Sequence, residues 1–266
     1  AHRAVAGRCA DARGPEHLAT QITRPFEQTG RPRSVPEREG FYLNVDDEVR
    51  NGRPRKEKEG SQEFVERVPA YYERHPEPGK PQRERITYWF FYGLSQPPGP
   101  EGVLRHFRHE GDWERISVLL ERSPGRHAYT PISVRYHFHE ENRDVPWHAV
   151  RRVVAEEGGE PTHPVVYVAK ESHASHPRAG DFLEARRIAG NRRVTARDQA
   201  IACPACPQWR TWNDLKSATS APWYGFGGAW GSIGSQGGTT GPLGPSPRKT
   251  CRAARCLRLP DAAPGR

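Results

Sequence analysis

The sequence predicts an all-β fold, an antiparallel β-sandwich with long loops and at most one or two short helices. Three observations carry that expectation. β-Branched and aromatic runs recur along the chain, with residues 86–92 reading Ile-Thr-Tyr-Trp-Phe-Phe-Tyr and 132–138 reading Ile-Ser-Val-Arg-Tyr-His-Phe. Proline and glycine, 26 of each, fall largely between those runs and punctuate them as turns do. No stretch of useful length repeats its apolar residues at the 3.6-residue period of an amphipathic helix.

Residues 64–72 read as the first strand, with Pro69 suiting an edge position. A turn-rich stretch, 75–81, leads into 86–92, whose unbroken apolar character fits a strand buried on both faces and ending at Gly93. Residues 95–102 carry Gln96-Pro97-Pro98-Gly99-Pro100, too proline-dense for either regular state. Segment 115–120 reads as the next strand and meets a Ser123-Pro124-Gly125 turn, and 132–138 alternates as a half-buried strand does. Further strands are expected at 148–154 and 164–169. Between 181 and 214 the chain is rich in Arg and Ala, and one short helix is expected there. Residues 222–231 alternate aromatics with glycine, which reads as an aromatic plug on the sandwich end ahead of a ligand box.

Only 34% of the chain is hydrophobic, and those residues concentrate between 64 and 230. A polar Pro/Arg-rich lead over 1–60, mostly extended or disordered, therefore precedes a β-sandwich domain over 61–235 and a flexible Gly/Pro/Arg-rich tail over 236–266. The net charge of +9 raises nucleic acid as a partner, but no recognition motif and no face alternating base with aromatic can be drawn, so none is expected. No apolar run approaches the ~18 residues of a membrane-spanning helix. The N-terminus gives no localisation, and secreted and cytoplasmic settings both stay open. The five cysteines are Cys9, Cys203, Cys206, Cys251 and Cys256, an odd count that argues against a complete disulfide framework. Cys203 and Cys206 with Cys251 and Cys256 have spacings that a four-thiolate zinc site uses, but the second pair lies in a tail with nothing apolar to hold it.

The chemistry concentrates at 109–114, which reads His-Glu-Gly-Asp-Trp-Glu. His109, Asp112 and Glu114 place one imidazole and two carboxylates within six residues, and Gly111 lets the backbone turn so that they converge. In a strand starting near Gly111, Asp112 and Glu114 face one side and Trp113 the other. The set suits a divalent cation, with Ca²⁺ or Mg²⁺ ahead of Zn²⁺, or an acid/base pair. A solvated loop is the plainer account of such a run. Against it stands a second histidine-rich loop, Ser172-His173-Ala174-Ser175-His176-Pro177, which also follows a strand-like run and makes His173 and His176 candidate general acids or bases.

With those blocks laid out, the chain resembles the vacuolar protein sorting-associated protein 62 family. The resemblance rests on residues 86–93, on 109–118, on 167–177 with Ala179-Gly180, and on 222–231, in that order, and it spans roughly 64–244. That family is named for a sorting phenotype and not for a reaction. A more distant likeness is to the necrosis- and ethylene-inducing peptide-like proteins, secreted β-sandwich cytolysins with a His-Arg-His-Asp-Trp-Glu signature. They hold a divalent cation for docking onto plant sphingolipid head groups. His109, Asp112 and Glu114 fall at the spacing of that family's ligands, whereas its inner His is Gly111 here and its further Asp would fall near Ser95 or Gln96.

Three functions follow as expectations. The first is a binding module whose cation, held by His109, Asp112 and Glu114, bridges to an anionic or glycosylated lipid head group at a membrane surface. The second is a metal-dependent hydrolase of phosphoester or glycan-type substrates, with His173 or His176 as general acid/base. The third is a structural brace, with Asp112 and Glu114 tying a strand end to nearby amides. An open coordination position beside an ordered His in a closed cleft would favour the hydrolase, and a shallow exposed rim with aromatic neighbours would favour the binding module.

Overall fold

A Pro78-Gly79 turn, with Gly79 at φ 73°, folds the first two long strands back on each other. The left-handed conformation there is open to glycine at no steric cost. The computed structural model describes residues 42–43, 68–95, 108–125, 127–138, 141–170, 172–187, 193–202, 208–221, 223–224, 229–230, 241–242 and 244–245. Among them the strands are β1 (Tyr42–Leu43), β2 (Ala70–Glu77), β3 (Lys80–Ser95), β4 (His109–Arg122), β5 (Tyr129–Phe138), β6 (Glu141–Pro146) and β7 (Arg152–Val153). After these come β8 (His163–Pro164), β9 (Tyr167–Val168), β10 (Ser175–His176), β11 (Gly180–Arg187), β12 (Arg193–Ala200), β13 (Leu215–Ser217) and β14 (Ala229–Trp230). Three short 3-10 turns, Trp147–Ala149, Thr211–Asp214 and Ala218–Ser220, are the helical elements of the described residues.

The chain is all-β, as its composition and punctuation predict. Six strands form one sheet in the order β13-β2-β3-β4-β5-β6, and four two-stranded pairs stand beside it. The sheet is mixed, not antiparallel throughout. β13 runs parallel to β2, and β1 parallel to β14, while the other pairs are antiparallel.

Alternation along β3 and β4 sends side chains to two faces, and both faces are packed. On one face Tyr71, Trp89, Phe91 and Trp113 cluster with Ala218, Ala221, Trp223 and Trp230. On the other, Ala70, Phe90, Ile116, Val118, Val134 and Tyr136 cluster with Val150 and with the partly buried Tyr92, Trp147, Val166 and Trp209. Burial on both sides explains the unbroken apolar run at 86–92. The covers, among the described residues, are 3-10 turns, loops and the short strand β14 where a sandwich was expected to supply a second broad sheet. Trp223 and Trp230 do plug one face, as the aromatic and glycine-rich stretch suggested.

Several boundaries differ from expectation for identifiable reasons. The stretch 75–81 is not a long turn, because β2 runs to Glu77 and β3 resumes at Lys80, with a register shift at Pro76/Glu77 absorbing the proline. β3 passes through Gly93 to Ser95, paired opposite His109. The strand expected over 148–154 shrinks to β7 after a 3-10 turn, and 164–169 divides between β8 and β9. The helix expected within 181–214 is instead the hairpin of β11 and β12, paired from Gly180↔Ala200 to Arg187↔Arg193. On that ribbon Leu183 is 74% accessible, and the buried positions described on β12 are Asp198 and Ala200 rather than large apolar residues, so no apolar alternation marks it in the sequence. Two residues of the expected lead form β1. The rest of 1–60 and of 236–266, apart from residues 241–242 and 244–245, lies outside the described residues, as do all five cysteines.

Trp113 is the hub of the aromatic face. Its ring lies 5.0 Å from Phe91, 5.1 Å from Trp223 and 5.2 Å from Trp230, centroid to centroid, with Tyr71 and Trp89 beyond. Trp113→Ala is expected to destabilise the chain by ~3–5 kcal/mol, read from urea denaturation. A near-neutral result would contradict this core position.

Candidate active site

The site is placed by a glycine. Gly111 adopts φ 61° inside β4, and a Cβ there would sit 1.7 Å from the carbonyl oxygen of Trp230. Any side chain is therefore excluded twice, by backbone conformation and by the close approach of β14. The Trp230 backbone is itself fixed, its N–H donating to the Pro242 carbonyl at 2.8 Å.

From Gly111 onward the register does the positioning. Asp112 lies opposite Tyr92 and Glu114 opposite Phe90, so both carboxylates share the face that carries Tyr92, while Trp113 points to the tryptophan cluster. The expectation that Asp112 and Glu114 point together holds. Both are buried. Burial first, and then the negative charges of Glu114 and Asp112, push the Tyr92 phenol far above its ordinary value, so it stays protonated.

His173 reaches the same place from the loop between β9 and β10. It is the single non-glycine residue with positive φ among those described, at 57°. The turn that imposes this is closed by His173 N–H to the Ala169 carbonyl at 3.0 Å, Ala169 N–H to the Ala174 carbonyl at 2.9 Å, and Ser172 N–H to the Lys170 carbonyl at 2.8 Å. The imidazole lies flat on Tyr92, ring centroids 4.1 Å apart and 4° from parallel. Its Nδ1 is 3.0 Å from Asp112 Oδ2. An ionised carboxylate only accepts, so the hydrogen between them belongs to Nδ1, and Nε2 is left as the basic nitrogen.

The other predicted residues go elsewhere. His109 pairs across from Ser95, and its Nδ1 donates to the Gly111 carbonyl at 2.8 Å. Among the described residues no three His, Cys, Asp or Glu side chains form a metal-holding group, so the set of His109, Asp112 and Glu114 does not assemble as expected. The physical reason is the strand itself. It presents Asp112 and Glu114 on one face, but His109 lies before the left-handed Gly111 and is tied to that residue's own carbonyl. His176 is fully buried on the far side of the second loop, between Phe138 at 5.3 Å and Phe182 at 3.9 Å, with its Nε2 3.7 Å from Asp198 Oδ2. Of the two histidines proposed for acid/base work, only His173 meets Asp112.

Sequence reasoning missed Tyr92, the platform under His173, because naming the residue opposite Asp112 requires the β3–β4 register. The signal that could have found it is the aromatic end of the 86–92 run. His137, given no role, is one end of a polar chain across three strands: its Nε2 lies 3.2 Å from Ser117 Oγ, which lies 3.1 Å from Thr87 Oγ1. Burial, followed by the charges of Arg115, Arg135 and Arg85, pulls His137 down to about 3.

No family model matches the chain, and neither a curated protein nor a solved structure matches it.

Two outcomes are expected. Gly111→Ala should destabilise by roughly 3 kcal/mol or more, since it adds both strain and a backbone clash; a melting midpoint near that of the parent would contradict the contact with Trp230. His137 is depressed below its unfolded value of about 6.5, so its contribution to stability is complete above that pH and is lost as pH falls towards about 3. His137→Asn should flatten the stability curve in that window, measured by urea denaturation at several pH values, and an unchanged acid limb would remove His137 from the account.

Proposed function

We propose that the chain is a hydrolase of phosphoester or glycan-type substrates, with His173 as general acid/base and Asp112 as the carboxylate that orients it. The observation that carries this reading is the 3.0 Å contact between His173 Nδ1 and Asp112 Oδ2. An imidazole held through one nitrogen by a carboxylate offers the other to a proton on water or on a leaving group. Two further features support it. The left-handed backbone at His173 costs about 1–3 kcal/mol, and such strain collects where a side chain must be held in place. Asp112 and Glu114 are also buried, and the imidazole is ordered by its stack on Tyr92. The pair joins the 109–118 and 167–177 blocks through which the chain resembles the vacuolar protein sorting-associated protein 62 family, and that likeness names no reaction.

A second reading has its own observation. Asp112 and Glu114 are two buried carboxylates two residues apart on one strand face, a start for a hard-cation site that water and ligand oxygens would complete. On that reading the cation, Ca²⁺ or Mg²⁺ ahead of Zn²⁺, bridges to an anionic or glycosylated lipid head group. Among the described residues no helix is long and apolar enough to cross a membrane.

The test is a panel of nitrophenyl phosphomonoesters, phosphodiesters and glycosides, assayed with chelator and then with Ca²⁺, Mg²⁺, Mn²⁺ or Zn²⁺. Turnover is expected in the parent chain and should fall ~10²-fold or more in both Asp112→Asn and His173→Gln. Turnover indifferent to both substitutions would sink the hydrolase reading. Absent turnover, together with a cation-dependent rise in melting midpoint that Asp112→Asn abolishes, would support the binding module instead.

A further inference from the structure

We infer that Asp198 of β12 is a positioning residue for His173, acting through Ser172. The inference rests on His173 as the working imidazole and adds a support that lies outside both histidine-bearing sequence blocks.

Asp198 is fully buried, at 0% exposure. Its Oδ1 accepts from Ser172 Oγ at 2.8 Å, and its Oδ2 faces His176 Nε2 at 3.7 Å. Ser172 is itself buried and immediately precedes His173. A buried hydroxyl-to-carboxylate bond is among the stronger neutral-to-charged contacts, and breaking it leaves a desolvated charge short of a partner. The same strand grips the loop through its backbone as well. Lys170 N–H donates to the Gln199 carbonyl at 2.8 Å, and Ala169 bridges to Ala200. The turn is thus held from β12 at 169, 170 and 172, and His173 follows the last of these points.

That arrangement answers how a left-handed histidine is kept. A β-substituted residue at φ 57° relaxes unless its flanks are fixed, and here one flank is fixed by Asp198 and the other by the hydrogen bond from Ala169 N–H to the Ala174 carbonyl. On the far side His176 is immobilised between Phe138 and Phe182, so Asp198 is bounded by a rigid neighbour and its carboxylate has a defined orientation. Among the described residues, Glu141, Arg143 and Asp181 share a groove of about 200 Å³ with His176, and Asp181 is paired with Arg197.

The experiment reads the His173 ring directly, by nuclear magnetic resonance on the full chain. In the parent, stacking on Tyr92 displaces the His173 carbon-bound hydrogens upfield, and the ring nitrogens report hydrogen on Nδ1. Ser172→Ala should lose the upfield displacement and the Nδ1 signature while near-ultraviolet circular dichroism still shows a packed core. Ser172→Thr, which keeps the hydroxyl, should restore both. Asp198→Asn should give the same loss as Ser172→Ala if it folds, and Ser172→Ala decides the matter if it does not. A folded Ser172→Ala whose His173 signals match the parent would overturn the inference, because a purely structural bond would lower stability without moving that ring. Loss of the signature in a chain that turns over none of the nitrophenyl substrates would uphold the positioning role and count against the hydrolase reading alone.

Discussion

When Tyr92 lies opposite Asp112 and Phe90 opposite Glu114, the two-residue period of a strand assigns every neighbouring side chain to a face. A slip of one residue between β3 and β4 would drive both carboxylates into the tryptophan cluster and bring Trp113 up against His173. Neither arrangement is tolerable, since the aromatic face supplies no partners for two buried charges. The register is therefore held by the two cores together, one on each side of the sheet, and the site inherits its geometry from them. Gly111 is the local condition for this pairing, because it lets β14 close over β4 without displacing Asp112.

Among the described residues, the buried carboxylates of Glu73, Asp112 and Asp198 are met by ring donors or hydroxyls. Glu73 accepts from Trp89 Nε1 and from Tyr224 OH, both at 2.8 Å; Asp198 accepts from Ser172; Asp112 accepts from His173. Burial first, and then the hydrogen bond to Glu73 and its charge, raise the Tyr224 phenol to about 12. Ion pairs with arginine, such as Arg135 with Asp144 and Arg85 with Glu77, lie on the outer parts of the sheet, where screening leaves each worth ~1 kcal/mol or less. Among the described residues, Glu73, Asp112 and Asp198 thus rest on ring donors and hydroxyls, while these arginine ion pairs lie further out.

How much of this was legible follows from where the information sits. The all-β class, the doubly buried strand at 86–92 and the shared face of Asp112 and Glu114 are local properties, readable from residue type and period. The union of Asp112 with His173 spans 61 positions and depends on a loop whose path no periodicity encodes. The two histidine-bearing blocks could be named as partners, yet which imidazole reached the carboxylate could not. The β11–β12 hairpin was read as helix because its segment is rich in Arg and Ala and its described buried positions on β12 are an aspartate and an alanine rather than large apolar residues, and Asp198 was lost with it. His109 looked like a ligand by spacing alone. The spacing lets Gly111 turn the backbone so that His109 converges from a loop, whereas in the structure His109 is the first residue of β4 and is tied to the Gly111 carbonyl.

The backbone of His173 has a consequence for anyone redesigning the chain. A procedure that rewards low-energy conformations at each position would replace a β-substituted residue at φ 57° with glycine or asparagine, and would report a more robust molecule. The same choice would delete the imidazole from the face of Tyr92. Position 173 is thus where durability and chemistry ask for different amino acids, and a sturdier descendant of this chain would be informative chiefly if it kept its histidine.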